Sequence, residues 1–389
     1  MSRYNFDEVI DRDNTNSVKY DFMAEHNMPA DVMPFWVADM DFRTPPAVSE
    51  ALIERCKHGI FGYTDINNDY FNVVSKWYKN RFDFTVKREW LIVTPGVVFA
   101  ICAAIRALTK DGDGVLIQRP VYYPFSNVIK DNNRKLVNSP LIYKNGKYEI
   151  DFDDFEKKII ENNVKLFLLC NPHNPVGRVW TVEELKKIGV ICIKHRVIVI
   201  ADEIHSDFIF NNNKHINFAS LSKHLSDITI TCTSPSKTFN LAGLQIANIF
   251  IDNESIRKAV YKEIRKTGYG NPNTMGVISA QASYEYGEKW LDDLILYLSD
   301  NIDKTKSFIA EKAPMLNVIE PEGTYLLWID FKKLGLNDKN LNNIIVNKAK
   351  LWLDGGTMFG DEGKGFQRIN IACPWSKLKN GLDKLILNL

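Results

Sequence analysis

The amino-acid sequence predicts an α/β protein built on an open, mostly parallel sheet. Three short apolar runs, at 166–170, 197–201 and 228–231, have the length and the flanking polar residues of buried strands. Between the first two runs, Thr181 and the two glutamates that follow it are typical of a capped helix, which continues to about His195. This strand–helix–strand order predicts a parallel pair of strands.

The other elements follow from the same patterns along the chain. Residues 1–30 are polar and are expected to form an arm that lies on a neighbouring molecule or on a smaller domain. A helix is predicted over 46–56, with Thr44 as its cap and proline in its first turn. Further strands are predicted at 91–94, 115–118, 247–251, 317–319, 324–330 and 366–373, and further helices at 69–82, 97–108, 254–267, 275 to about 313, and 339–350.

Polar residues follow the three apolar runs and are expected to meet at one edge of the sheet, where such folds bind ligands. They are Asn174, Asp202 and Lys237. A lysine held near a cation in a dry pocket loses its proton more easily than a surface lysine and can bond to an aldehyde. The alternative is a turn that carries an ordinary surface lysine.

The surroundings of Lys237 favour the first interpretation. Ser234, Ser236 and Thr238 can donate hydrogen bonds to an anion such as a phosphate. A lysine beside a phosphate cradle is what pyridoxal phosphate requires, and Asp202 is suited to keep the pyridine nitrogen of that cofactor protonated.

A hydroxylate on the same ring needs hydrogen-bond donors, and Asn174 and His205 are suited to that role. The alternative for His205 is a surface imidazole. Because the remaining histidines have no matching ligand spacing, no metal site is predicted.

Six motifs, taken in order, resemble those of the fold-type I pyridoxal-phosphate enzymes, the aminotransferase class I/II superfamily. The resemblance covers essentially the whole chain and is closer to the cystathionine β-lyase (C–S lyase) branch. The motifs are Pro-Phe-Trp-Val-Ala-Asp-Met-Asp-Phe at 34–42, Phe-Gly-Tyr at 61–63, Asn-Pro-His-Asn-Pro-Val-Gly-Arg at 171–178, Asp-Glu-Ile-His at 202–205, Ser-Pro-Ser-Lys-Thr-Phe-Asn at 234–240 and Gln-Arg-Ile-Asn at 367–370.

The resemblance implies the fold of a fold-type I pyridoxal-phosphate-dependent transferase. A large cofactor-binding domain is expected at 47–285, with a mostly parallel seven-stranded sheet flanked by helices. A smaller C-terminal α+β domain is expected at 286–389. Residues 1–46 would form the N-terminal arm and part of the small domain.

The resemblance also implies roles for residues near the start of the chain. The backbone of Val37 and Ala38 would border the substrate; the alternative is a core strand that leads into a turn. Tyr63 would reach the cofactor phosphate in the other subunit of a homodimer; the alternative is a packing aromatic.

Further cofactor contacts are expected from the next two strand ends. After the strand at 91–94, Gly96, Val97 and Val98 open a helix whose free N–H groups and positive dipole end favour phosphate. Tyr122 would stack on the pyridine ring and counts with Lys237 and Asp202 among the predicted catalytic residues. A one-residue slip would exchange Tyr122 for Tyr123, and the alternative is a turn tyrosine that faces solvent.

Arg368 lies inside an apolar, alternating strand, where an arginine must face a partner or bear a large desolvation cost. The resemblance implies that this partner is the α-carboxylate of a substrate, a good bidentate ligand, with Asn174 beside it. The alternative is an internal salt bridge. Many aminotransferases hold the cofactor phosphate with an arginine eight residues past the lysine, whereas this chain has Gln245 there, as in the C–S lyase branch.

Composition narrows the possible partners. The chain has 389 residues and a formal net charge of +1, which argues against nucleic acid or a membrane surface as the main partner. The six cysteines are scattered and are expected to be reduced. Since the first residues lack the apolar core of a signal peptide, a cytoplasmic location is expected.

The function implied by the resemblance is a pyridoxal-phosphate-dependent carbon–sulfur β-lyase. A small amino acid such as cystathionine or a cysteine S-conjugate would give a thiol, pyruvate and ammonia. Lys237 would carry the cofactor and then remove the Cα proton as general base. An aminotransferase is the main alternative, because it shares these steps and no motif separates the two. A cofactor-holding regulatory protein is the third interpretation, although residues before the fold have no helix-turn-helix pattern.

Overall fold

The computed structural model describes residues 4–389 and contains two main sheets, one of seven strands and one of four. The strands are β1 (Met33–Pro34), β2 (Leu91–Thr94), β3 (Gly114–Ile117), β4 (Lys135–Asn138), β5 (Ile142–Lys144), β6 (Lys147–Glu149), β7 (Val164–Cys170), β8 (Ile198–Asp202), β9 (Thr229–Thr233), β10 (Ala247–Phe250), β11 (Asn317–Val318), β12 (Leu326–Asp330), β13 (Leu351–Trp352), β14 (Asp354–Gly355) and β15 (Phe366–Asn370).

Helices cover the sheets and join them. They are α1 (Pro46–His58), α2 (Asn68–Phe82), α3 (Val97–Leu108), α4 (Pro124–Asp131), α5 (Phe152–Glu161), α6 (Val182–His195), α7 (Lys223–Asp227), α8 (Pro235–Thr238), α9 (Glu254–Lys266), α10 (Thr274–Tyr286), α11 (Glu288–Lys312), α12 (Asp338–Asn343), which continues into a π-helical turn (Ile344–Lys348), and α13 (Trp375–Leu387).

The seven-stranded sheet has the order β2-β10-β9-β8-β7-β3-β4. Only β10 runs antiparallel to its neighbours, β2 and β9; all other pairs are parallel. The predicted fold class, a mostly parallel seven-stranded sheet flanked by helices, is confirmed. Strands β7, β8 and β9 are adjacent, so the residues that follow them lie at one edge.

The parallel pair β7–β8 forms because a capped amphipathic helix connects the two strands. The Thr181 side chain accepts a hydrogen bond from the Glu184 backbone N–H, and the Glu184 side chain accepts one from the Thr181 N–H. This capping box fixes the start of α6. Leu185 and Ile188 on its inner face are fully buried against the sheet. The predicted strand–helix–strand unit is therefore present.

The four-stranded sheet has the order β11-β12-β15-β14, and all its pairs are antiparallel. Asp354 on β14 lies directly opposite Arg368 on β15. From the start of the chain, β1 adds a short parallel pair with β13. These elements agree in kind with the α+β unit expected after residue 286, while the exact domain boundaries remain predictions.

Two details of the predicted helices are wrong. The cap of α1 is Pro45 rather than Thr44, whose buried hydroxyl has no hydrogen-bond partner in the described part of the chain. The single helix expected over 275–313 is broken at Gly287 into α10 and α11. A Cβ at Gly287 would collide with the Ser283 carbonyl and the Phe239 ring, so the break depends on a close approach that only glycine allows.

The N-terminal arm packs on its own chain, against α11 and the segment around Asp41. Its assignment to a smaller domain stays a prediction. Phe6 is buried, with its ring centroid 5.9 Å from that of Trp290. Arg12 and Lys19 form ion pairs with Asp41. Residues 1–3 of the predicted arm lie outside the described part of the chain. Within residues 4–389, no helix has the length and apolarity required to span a membrane.

Candidate active site

A cavity of about 1060 Å³, part of it open to solvent, lies at the carboxyl ends of β7, β8 and β9. The smaller sheet and residues 36–38 close its other side. Apart from Thr238, which is described below, it brings together all but one of the site residues predicted from the sequence. Those that line it are Val37, Ala38, Gly96, Val97, Val98, Tyr122, Asn174, Asp202, His205, Ser234, Ser236, Lys237 and Arg368.

Tyr63 is the exception. It does not line this cavity and is fully exposed, on a loop that faces residues 268–274. The neighbouring Thr64 hydroxyl lies 2.6 Å from the Thr274 hydroxyl, so the loop is tied to the start of α10. Within a single chain, the predicted phosphate contact of this tyrosine is not made.

Lys237 reaches the centre of the cavity from the short helix α8, which follows β9. Its Nζ donates a 2.9 Å hydrogen bond to the carbonyl of Ala38. Burial lowers the pKa of Lys237 to about 8, an effect that Asp39 opposes and Arg368 assists. The neutral, nucleophilic amine is therefore far more populated near neutral pH than in a surface lysine. The alternative of an ordinary surface lysine is wrong.

Asp202 ends β8, and the residue is only 5% exposed. Its Oδ1 accepts a hydrogen bond from the backbone N–H of Ile204 at 3.2 Å. Burial raises the pKa of Asp202 to about 7, although the Ile204 N–H and Lys237 lower it. A buried carboxyl with so little compensation is suited to face a cationic group, such as a protonated pyridine nitrogen.

His205 is buried, so its interpretation as a surface imidazole is wrong. Burial, assisted by the charges of Lys237 and Arg368, lowers the pKa of His205, and the ring is neutral. Its Nδ1 has no partner among the described residues, although it is enclosed. An unpaired polar atom beside the cavity fits a ligand that carries its own hydrogen-bonding group.

The start of α3 offers backbone N–H groups to the same cavity at Val97 and Val98. A Cβ placed at Gly96 would meet no atom within 4 Å, so there is open space in front of this helix end. Ser236 also lines it. The Ser234 hydroxyl is already engaged, since it donates to the Ile246 carbonyl at 2.7 Å.

Two residues that follow Lys237 in the chain, Thr238 and Gln245, had sequence-based interpretations. Thr238 was expected to donate to an anion such as a phosphate, but its hydroxyl donates to the Asp207 side chain at 2.8 Å and does not line the cavity. Gln245 does line the cavity. Without an arginine there, backbone N–H groups and hydroxyls must carry most of the binding of a phosphate.

Tyr122 and Tyr123 both line the cavity, so both tyrosines considered for stacking on the pyridine ring lie at the site. Burial raises the pKa of both phenols. The nearby carboxylate is Asp202 for Tyr122, whereas it is Asp354 for Tyr123. Tyr122 is therefore on the side of the predicted ring site, and Tyr123 is on the side of Arg368.

Arg368 is 3% exposed, and protein groups surround its guanidinium. Nη1 donates to Asn174 Oδ1 at 2.9 Å, and Nη2 donates to the Trp36 carbonyl at 2.9 Å and to Asp354. Both interpretations of Arg368 thus hold in part: it lies in the cavity, as a carboxylate-binding residue would, and it forms an internal salt bridge.

Sequence reasoning missed several residues of this site. Asp354 could have been found, because a carboxylate directly after the apolar run 351–353 needs a buried partner, as Arg368 does. Tyr325 donates to the Ala38 carbonyl at 2.9 Å. Asn370 donates to the carbonyls of Val37 and Asp39. The sequence has no signal for the last two, since their partners are backbone groups far away along the chain.

The fold places the protein among the fold-type I pyridoxal-phosphate enzymes, as predicted. More particularly, the chain belongs to the aminotransferase class I and II family, whose family model matches residues 30–385. Among curated relatives, cystathionine beta-lyase PatB of Bacillus subtilis (strain 168) is 42% identical over 381 residues, which cover 98% of both chains. Protein MalY of Escherichia coli (strain K12) is 34% identical over 389 residues, again with 98% of both chains covered.

Solved structures agree with these relatives. Cystalysin from Treponema denticola, which contains a pyridoxal 5′-phosphate cofactor, superposes with a TM-score of 0.95 at 41% identity, covering 99% of this chain and 98% of that one. The pyridoxal-phosphate-bound C–S lyase from Staphylococcus hominis gives a TM-score of 0.93 at 38% identity, with the same coverage. The predicted family and its cystathionine β-lyase branch are confirmed.

Proposed function

We propose that this protein is a pyridoxal-phosphate-dependent carbon–sulfur β-lyase that converts a small sulfur-bearing amino acid into a thiol, pyruvate and ammonia. The observation that carries the proposal is the position of Lys237, whose amine has a lowered pKa and lies in one cavity with Asp202 and Arg368. The similarity to a cystathionine beta-lyase and to two pyridoxal-phosphate-containing structures supports both the reaction and the cofactor.

The residues of the cavity fit this cofactor. Asp202 would face the ring nitrogen. The amide of Asn174 and the Nδ1 of His205, which has no partner among the described residues, line the same cavity and would serve ring substituents. The N–H groups at the start of α3 and the Ser236 hydroxyl fit a phosphate. When bound, pyridoxal phosphate supplies an aldehyde for covalent attachment of an amine and a ring that takes up electrons from the substrate Cα.

The protein's own residues then have distinct tasks. Arg368 and Asn174 bind the α-carboxylate of the substrate and so orient its Cα–H bond. The Lys237 amine, in its neutral form, removes the Cα proton as general base. The buried carboxylate of Asp202 holds a proton at the ring nitrogen. Tyr122, which lines the cavity, would pack against the ring.

An aminotransferase remains the alternative, because the family as a whole carries that description and proton removal from Cα is common to both reactions. The experiment that separates them is an assay of purified holoenzyme with cystathionine, with and without an added keto acid. We expect pyruvate and free thiol to form without the keto acid. Amino transfer that depends on the keto acid and exceeds thiol release would overturn the proposal.

We also propose that a second copy of the chain completes the site, with Tyr63 reaching the cofactor phosphate of its neighbour. The full exposure of this tyrosine on one chain supports the idea. Mixing inactive Lys237→Ala and Tyr63→Ala proteins under conditions that exchange subunits would restore about a quarter of wild-type activity, because half of the dimers are hybrids with one intact site. No recovery would exclude the shared site.

The predicted cytoplasmic location stays a prediction.

A further inference from the structure

The guanidinium of Arg368 has few free donors. Its Nη2 donates to both the Trp36 carbonyl and Asp354, and its Nη1 donates to Asn174. The Phe359 ring covers it at 4.9 Å. The Nε–H is buried and has no partner among the described residues.

This arrangement leaves no pair of parallel donors for a substrate. A carboxylate that binds arginine in bidentate fashion needs two parallel N–H groups. A guanidinium offers such pairs at Nη1 with Nη2 or at Nε with Nη2, because the Cδ side is blocked. Both pairs include Nη2. One of the two acceptors on Nη2 must therefore give way when a substrate carboxylate binds.

The two acceptors on Nη2 differ in how easily they can move away from it. The Trp36 carbonyl belongs to a fixed backbone: the preceding Phe35 N–H donates to the Trp352 carbonyl at 2.9 Å, and the Trp36 ring stacks on Trp352 at 4.1 Å. The other acceptor is the side-chain carboxylate of Asp354, which can rotate about its own bonds. It carries the same charge as the incoming group, so the two carboxylates repel each other at one cation.

We propose that Asp354 is a built-in competitor that occupies Arg368 until a substrate carboxylate displaces it, and that it thereby sets the affinity of the site for carboxylate ligands. This inference rests on the proposed role of Arg368 in substrate binding. Asp354 is 2% exposed and keeps a buried cation paired when the site is empty of substrate. Burial raises the pKa of this carboxyl, and the charge of Arg368 opposes the rise, so the ion pair favours the charged form of Asp354.

Asp354 could instead be a permanent support that aligns Arg368. The two roles predict opposite changes in carboxylate affinity when the charge of Asp354 is removed. If Asp354 competes, removing its charge tightens the binding of carboxylates. If Asp354 supports Arg368, removing its charge weakens that binding. Asparagine is the informative replacement, because it has the same shape and can still accept from Nη2.

The test compares wild-type holoenzyme with Asp354→Asn by calorimetric titration. The probes are 3-(methylthio)propionate and its uncharged amide, neither of which has an amine that could react with the cofactor. We expect the acid to bind about tenfold more tightly to the variant, as removal of one like charge a few ångströms away predicts. We expect the affinity for the amide to stay the same. An unchanged or weaker affinity for the acid would overturn the inference.

Three further variants make the result decisive. Asp361→Asn removes an equally charged, exposed residue nearby and should change neither affinity. If the asparagine variant does not fold, Asp354→Ser replaces it, and its affinity for the acid is expected to increase as well. Arg368→Gln tests the underlying role: if it leaves the affinity for the acid unchanged, the proposed function of Arg368 fails. If it weakens the affinity but Asp354→Asn does not strengthen it, only the present inference fails.

Discussion

The two sides of the cavity are built in different ways. On the large-sheet side, Asn174, Asp202 and Lys237 follow adjacent parallel strands, and Asp202 lies in register between Cys170 and Cys232. On the other side, Arg368 comes from the smaller sheet and faces the 36–42 segment, which has almost no regular structure.

Side chains from distant parts of the chain hold that segment in place. Every carbonyl from residue 36 to residue 40 accepts a hydrogen bond from a side chain. The donors are Arg368 to Trp36, Asn370 to Val37 and Asp39, Lys237 and Tyr325 to Ala38, Lys19 to Asp39, and Arg12 and Asn240 to Met40.

The comparison shows that strand ladders position the groups assigned to the cofactor and also Arg368 on β15, whereas side-chain hydrogen bonds fix the 36–42 segment that would border the substrate. A ladder is cooperative and tolerates the loss of one side chain. A segment held by individual side chains loses order with each one removed. Substitutions on the first side should therefore affect chemistry, and those on the second should affect substrate binding.

The largest effect is expected from Lys237→Ala, on the large-sheet side. Removal of both the attachment point and the general base should lower the rate of pyruvate formation from cystathionine by at least about a thousandfold. Thermal unfolding of the variant should stay close to that of the wild type, because within residues 4–389 the amine makes only one hydrogen bond, to Ala38. A variant that retains a tenth of the activity would contradict this assignment.

Asp202→Asn tests the large-sheet side through the pH dependence of the free energy of unfolding. The pKa of Asp202 is about 7 in the folded protein and 3.8 ordinarily, so the folded state binds more protons between these values. The free energy of unfolding of cofactor-free protein should therefore fall as pH rises from about 4 to 7, with Asp202 contributing up to about 4 kcal/mol. Denaturant unfolding at several pH values should give a flatter profile for the variant. An identical profile would mean that this carboxyl is ionised throughout.

Asn370→Ala tests the side that binds the substrate. The change removes the hydrogen bonds at 2.6 and 2.7 Å to the carbonyls of Val37 and Asp39. The Val37 carbonyl is then left without a side-chain partner, whereas the Asp39 carbonyl keeps its hydrogen bond from Lys19. This loss costs about 2 kcal/mol, so KM for the amino acid should rise about tenfold while kcat changes less. Steady-state kinetics measure this split, with Asn388→Ala at the far end of α13 as control. A fall confined to kcat would contradict the comparison.

The smallest effect is expected in the pH dependence of cofactor attachment. The neutral amine of Lys237 is the reactive form, and its pKa of about 8 lies below that of a surface lysine. The rate at which pyridoxal phosphate recombines with cofactor-free protein should rise severalfold from pH 7 and level off above about pH 8. Absorbance of the attached cofactor follows the reaction. A rate that still rises tenfold between pH 9 and pH 10 would mean that the true pKa of Lys237 is well above 8.

Much of the large-sheet side could be predicted from the sequence. Apolar runs mark β7, β8 and β9, and the capping box of α6 marks the connection between the first two strands, so these local patterns already bring Asn174 and Asp202 together. Periodicity alone did not reveal the break at Gly287, because apolar spacing continues from α10 into α11. Glycine is required there by its contacts with the Ser283 carbonyl and the Phe239 ring.

By itself, the sequence determined the strands β7, β8 and β9 and the helices α3 and α6 beside them, the polar residues at the strand ends and, through its motifs, the family. Those features depend on neighbours in the chain or on the fixed geometry of a parallel sheet. Only the tertiary structure decided that Asp354 pairs with Arg368, that Tyr325 and Asn370 hold the 36–42 segment, and that Tyr63 lies outside the cavity of its own chain. The physical reason is that a hydrogen bond between a side chain and a distant backbone carbonyl leaves no periodic trace in the sequence.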